Sequence, residues 1–132
     1  MKNHQILTLS EIADFAKKVA TKLRGGEIFA LVGPLGSGKT AFVKAVGKRL
    51  KIKHKITSPT FALLHCFPAK LKSKPILLYH LDLYRTKNYQ EAKALGLTEF
   101  WGQPQTITFI EWADKIKKYL PRQTKIIKFT NR

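Results

Sequence analysis

The chain has 132 residues with a hydrophobic fraction of 44%, enough for one domain around one core and too apolar for a disordered segment. Its 25 Lys and Arg against 8 Asp and Glu leave a formal charge of +17, a field that favours polyanionic partners such as RNA and weakens with salt. No apolar run approaches a membrane span, the first residues lack a signal-peptide core, and the single Cys66 excludes an internal disulfide or a cysteine-based metal site, so a cytoplasmic protein is expected.

In chain order, residues 5–9 alternate polar and apolar as an edge strand would, and Ser10 is placed to cap a helix with Glu11 in its first turn. Ile12, Phe15, Ala16, Val19, Ala20 and Leu23 then recur at helical spacing until Arg24-Gly25-Gly26 ends the run. An apolar strand over 27–32 delivers the chain to Gly33-Pro34-Leu35-Gly36-Ser37-Gly38-Lys39-Thr40, and a helix is predicted over 39–50 with Phe42, Val43, Val46 and Leu50 inward. A basic connector (51–57) and Ser58-Pro59-Thr60 precede an apolar strand ending at Phe67. Residues 70–75 read as an exposed hairpin tip before a strand at 76–81. A helix over 89–95 stops at Gly96, a strand covers 106–110, a helix 113–119 precedes Pro121, and a last strand covers 125–129. Cys66, inside the apolar stretch 61–67, is expected to be a buried structural thiol.

The segment 33–40 is a complete G-x-x-x-x-G-K-[ST] phosphate-binding loop in the context the chemistry requires, strand before and helix after. Gly33, Gly36, Ser37, Gly38 and Ala41 would bring backbone N–H groups to the phosphates; Lys39 would supply a point charge, and the Thr40 hydroxyl a ligand for Mg²⁺. A purine nucleoside triphosphate is the expected ligand. Strands interleaved with helices around such a loop imply an α/β fold: a single three-layer P-loop NTPase-like domain over residues 1–132 with a largely parallel sheet.

Two of the few carboxylates stand directly after apolar strands, at the edge where such sheets bind ligands: Asp82 and Glu111. Asp82 suits a metal-holding acid, and Glu111 either a water-polarising base or an outer-shell partner of the metal. Thr60, after the conformationally fixed Pro59, is a candidate switch threonine. His80 and His65 read as packing histidines rather than acid–base groups. Trp112 is read first as packed against helices, with contact to the nucleotide as the alternative. Lysines outnumber arginines twenty to five, which favours phosphate neutralisation over base readout, and the cluster Lys48-Arg49, Lys51, Lys53 and Lys55 could contact tRNA or an acidic partner.

Gly33 to Thr40, Ser58-Pro59-Thr60-Phe61, His80-Leu81-Asp82-Leu83-Tyr84-Arg85 and Ile110-Glu111-Trp112, in this order and spacing, closely resemble the TsaE (YjeE) family of small bacterial P-loop ATPases. The resemblance implies a subunit that hydrolyses ATP with Mg²⁺ beside TsaB and TsaD in making threonylcarbamoyladenosine in tRNA. It implies that Lys39 binds phosphate, Thr40 ligates Mg²⁺, Asp82 is the Walker B-like acid, Glu111 a metal-side or catalytic acid, Thr60 the switch residue, and Trp112 a neighbour of the nucleotide. Pro34 and Ala41 depart from the acid and the second threonine common in that family. Two other readings stand beside this one. The chain could be a small kinase, which would need an arginine-rich lid that Arg24, Arg49, Arg85, Arg122 and Arg132 poorly supply. It could also be a non-catalytic RNA-binding module whose nucleotide is structural.

Overall fold

The computed structural model describes residues 2–34, 36–53, 55–56, 64–84 and 86–130. Strand β1 (Lys2–Leu7) leads through a 3₁₀ turn (Leu9–Glu11) into α1 (Ile12–Lys22). Then follow β2 (Ile28–Val32), α2 (Lys39–Arg49), β3 (Leu64–Leu71), β4 (Lys74–Asp82), α3 (Tyr89–Ala94), β5 (Thr106–Glu111), a 3₁₀ segment (Ala113–Tyr119) and β6 (Lys125–Phe129). The strands form one six-stranded sheet in the order β1-β6-β2-β5-β4-β3. All neighbours run parallel except β3 and β4, an antiparallel hairpin at one edge.

Alternation along each strand sends side chains to two cores, so the sheet is the middle of three layers. Phe29, Leu31, Leu78, Ile107, Phe109, Ile127 and Phe129 face α1 and α2, meeting Ala16, Phe42, Val43 and Val46. Phe42 is the hub of this side. Fully buried, it lies 5.8 to 5.9 Å from the rings of Phe15, Phe109 and Phe129, and complete burial of such a ring contributes about 1.5–3 kcal/mol. Because Phe42 follows Thr40 by two residues, this packing fixes the first turn of α2. The opposite face carries Ile28, Ala30, Leu81, Ile110 and Ile126 and is covered by α3, the Ala113–Tyr119 segment and turns around Leu97 and Phe100.

Several boundaries differ from the expected ones. Thr8, rather than Ser10, opens the first helical turn. Its amide and hydroxyl donate to Glu11 Oε1 at 2.9 and 2.7 Å, which holds the Glu11 carboxyl below the usual carboxylate range. The hairpin strands run further than their composition suggests and leave a two-residue turn, Lys72-Ser73, with φ of 50° and 67°. Residues 113–119 are not an α-helix: the 3₁₀ turns are broken at Ile116, whose φ is −128°.

Cys66 also departs from expectation. Along β3, Phe67, Ala69 and Leu71 point inward while Cys66, Pro68 and Lys70 point outward, so the thiol is exposed. It nonetheless sits opposite Tyr79, and partial burial there raises its pKa, a hydrogen bond with Tyr79 opposing weakly. A raised thiol pKa means less thiolate at neutral pH. Cys66 in the folded chain is therefore expected to react with iodoacetamide more slowly than in the urea-unfolded chain, with the gap closing as pH climbs above the ordinary thiol range. Equal rates at neutral pH would contradict this placement.

Candidate functional site

The parallel strands β2, β5 and β4 lie side by side, and their carboxyl ends finish level. Leu31 pairs with Glu111, and Glu111 pairs with Asp82. The chain leaving β2 enters the phosphate-binding loop at this edge, so the loop, Glu111 and Asp82 meet there as parallel α/β sheets dictate. Gly33 stands where the loop crosses the last strand. A Cβ on it would lie 2.8 Å from the Phe129 carbonyl oxygen and 2.9 Å from Ser37 Oγ, so no larger residue fits without moving backbone. Ser37, fully buried, turns its hydroxyl back to the Pro34 carbonyl at 2.6 Å and closes the loop on itself. Gly38, at φ 104°, is the N-cap of α2, and its carbonyl accepts the Phe42 amide at 2.9 Å. The first turn of an eleven-residue helix thereby presents its amides and the positive end of its dipole toward the loop.

Lys39 is 5% exposed, and its ammonium reaches back across the loop to the Gly33 carbonyl at 2.7 Å. It also lies 4.0 Å from the centre of the Trp112 ring. Trp112 itself holds φ 60° and ψ 36°, left-handed backbone that a bulky residue adopts at a strain of about 1–3 kcal/mol. That conformation lays the ring over Lys39 and against Tyr84, with centroids 4.9 Å apart. Trp112 is half-buried and packs against the second core cluster, as its first reading has it, while its ring also meets the loop lysine. Ala41 is exposed on α2, and Gly36 is exposed within the loop. Thr60 and the Ser58-Pro59 turn lie outside the described residues.

The two carboxylates are each 4% exposed. Asp82 Oδ1 accepts the Tyr84 amide at 2.9 Å, which fixes the chain as it leaves β4. Glu111 Oε2 accepts the Thr40 hydroxyl at 3.1 Å, linking the start of α2 to the end of β5 across 71 residues of sequence. The same oxygen lies 2.6 Å from His80 Nε2. With Glu111 ionised, that contact puts the ring proton on Nε2. His80 is fully buried, as a packing histidine would be, yet it is a partner of Glu111 and so belongs to the site. The signal for it was its spacing: two residues before Asp82 on a strand, it shares Asp82's face.

Thr40, Asp82 and Glu111 thus offer three oxygen groups around one edge, a hard donor set that suits Mg²⁺ held jointly with phosphate oxygens. Among the described residues no cluster of three or more His, Cys, Asp or Glu could hold a metal ion by itself.

The family model "Threonylcarbamoyl adenosine biosynthesis protein TsaE" matches residues 6–132. The tRNA threonylcarbamoyladenosine biosynthesis protein TsaE of Bacillus subtilis is 34% identical over 113 residues, covering 86% of this chain and 67% of that protein. Its counterpart in Rickettsia bellii is 39% identical over 124 residues, covering 92% and 82%. The crystal structure of Bacillus subtilis YdiB matches with a TM-score of 0.72 and 27% identity, over 94% of this chain and 72% of that one.

Replacing His80 by alanine takes one donor from a buried carboxylate. The expected loss is about 1–3 kcal/mol of unfolding free energy, read by urea denaturation, with His80→Gln recovering part through its amide donor. Unchanged stability in both variants would mean that the contact contributes nothing to the fold.

Proposed function

The chain belongs to the TsaE family, and from that premise we propose that it is the ATP-binding and ATP-hydrolysing subunit of threonylcarbamoyladenosine synthesis on tRNA, working in the cytoplasm with TsaB and TsaD. The observation that carries the proposal is the meeting of loop and acids: Thr40, the last residue of the phosphate-binding motif, donates to Glu111, which is paired in register with Asp82. A structural nucleotide would need the loop alone. Two buried carboxylates facing it would repel a triphosphate unless they act through a cation and a water.

In this reading the amides of Gly33, Gly36, Ser37 and Gly38 and the N-terminus of α2 bind the phosphates, and Lys39 adds a positive charge. Trp112 and the Gly33 carbonyl keep that ammonium at the loop. Thr40, Asp82 and Glu111 hold Mg²⁺, which when bound neutralises charge on the phosphate oxygens. Glu111 also orients the attacking water and can accept its proton. His80 keeps the carboxylate aimed at Thr40 rather than into the sheet. Thr60 is assigned the switch role at the γ-phosphate. Among the described residues no helix is long and apolar enough to cross a membrane.

Phosphate release from ATP, measured for the chain alone and with TsaB and TsaD, tests this directly. Release should require Mg²⁺, rise with the partners, and disappear in Lys39→Ala. ATP bound without turnover under both conditions would return the protein to the class of nucleotide-stabilised binding modules. Glu111→Gln keeps size and burial while removing the base. It should retain ATP binding within a few-fold and lower turnover by about 10²-fold or more; full turnover in this variant would remove Glu111 from the chemistry.

A further inference from the structure

The nucleotide edge is only one end of the sheet. At the opposite end the turns before β2, between β3 and β4, before β5 and before β6 come together, with the C-termini of α1 and α2 beside them. The Lys70 amide donates to the Leu50 carbonyl at 2.8 Å, which seats the hairpin against the end of α2. Exposed Lys22, Arg24, Arg49, Lys51, Lys70, Lys72 and Lys74 all gather at this end. Two carboxylates stand on these turns among the described residues, Glu27 and the exposed Glu99. Both oxygens of Glu27 are occupied locally, accepting the Arg24 and Gly25 amides at 2.8 Å each.

Within this basic end lies a groove of about 930 Å³ between the hairpin and the turns that precede β2 and β5. Arg24, Lys72 and Lys74 line it. Its other wall is apolar: Leu77, 38% exposed, and Tyr79, whose ring is held by stacking on Phe100 at 3.9 Å. Cations with a held aromatic and an aliphatic wall between them match a single-stranded nucleic acid, which presents phosphates and flat apolar bases together. An acidic peptide would use the cations and leave the apolar wall idle. The predominance of lysine points to backbone contact without base readout.

We propose that this groove binds an unpaired stretch of tRNA, sequence-tolerantly, at the end of the sheet remote from ATP. Strand β4 joins the two sites: Lys74 begins it and Asp82 ends it, about 26 Å apart at roughly 3.3 Å per residue. That separation lets the chain hold RNA and nucleotide together. The choice of tRNA among nucleic acids rests on the function proposed above, whereas the polyanion chemistry rests on the groove alone.

The test is a titration of fluorescent unmodified tRNA onto the whole chain between about 50 and 200 mM salt. The variant Arg24→Gln/Lys72→Gln/Lys74→Gln is compared with Lys44→Gln/Lys87→Gln/Lys93→Gln, which removes equal charge elsewhere. The groove variant should bind about tenfold or more weakly, with a log–log salt slope reduced by about 2, at roughly 0.7–0.9 per lost phosphate contact. The control should bind within a few-fold of the parent. ATP binding measured on the same proteins reports the fold of each variant. If the triple variant loses it, Lys72→Gln and Lys74→Gln singly should each lower the slope by about 0.7–0.9. Equal losses in both triple variants, no tRNA binding by the parent, or poly-glutamate binding as tightly with the same sensitivity would each overturn the proposal. Failure of ATP turnover with tRNA binding intact would sink the ATPase reading and leave the groove standing.

Discussion

Three parallel strands that end level are the constraint from which the rest of the site follows. Once β2, β5 and β4 are in register, Glu111 has Leu31 on one side and Asp82 on the other. The phosphate-binding loop then has no other place to turn than over the two acids. The hydrogen bond from Thr40 to Glu111 is the point where α2, carried by the loop, is locked to that edge. A slip of one residue between β4 and β5 would send Asp82 and His80 to the opposite face and dissolve the arrangement. The aromatic packing of Phe42 against Phe109 and Phe129 opposes such a slip from the helix side, so core and site depend on the same register.

The price of that geometry is a concentrated set of buried polar groups. Glu111, Asp82, His80, Lys39 and Ser37 are all buried within one edge of a small domain. Three of them bond to backbone, Ser37 to the Pro34 carbonyl, Lys39 to the Gly33 carbonyl and Asp82 to the Tyr84 amide, while Glu111 is held by the side chains of Thr40 and His80. The left-handed backbone at Trp112 belongs to the same set. It is the strained link that brings an aromatic face over a buried ammonium, where desolvation strengthens a cation–π contact.

Much of this was legible in the chain. The run 28–32, the glycines and the apolar spacing of α2 made strand, loop and helix readable together, because each obeys a local rule. Asp82 and Glu111 stood out because carboxylates are scarce and these two end apolar strands. His80 did not stand out: its burial was foreseeable, but its pairing with Glu111 arises from the β4–β5 register, a non-local property. Cys66 was misjudged by reading the apolar content of 61–67 rather than the alternation of Phe67, Ala69 and Leu71 with their outward neighbours. Residues 113–119 misled because Ala113 and Ile116 are three apart, a spacing that α and 3₁₀ turns share over so short a length. Part of the basic end of the sheet was visible as the cluster at 48–55, but it is the topology, not the sequence spacing, that joins Lys51 to Arg24 and Lys72.

Strand order also governs how the molecule can be assembled. β6 lies between β1 and β2, although both of those are made long before it. Emerging from a ribosome, the first two strands have no bond to each other and must wait for residues 125–129 to bridge them. The hairpin of β3 and β4 can close early through its short turn, whereas the sheet is completed only by a contact of high sequence separation. Synthesis therefore exposes two unpaired strand edges until β6 has been made. In that interval the nascent chain is most open to mispairing and to chaperones.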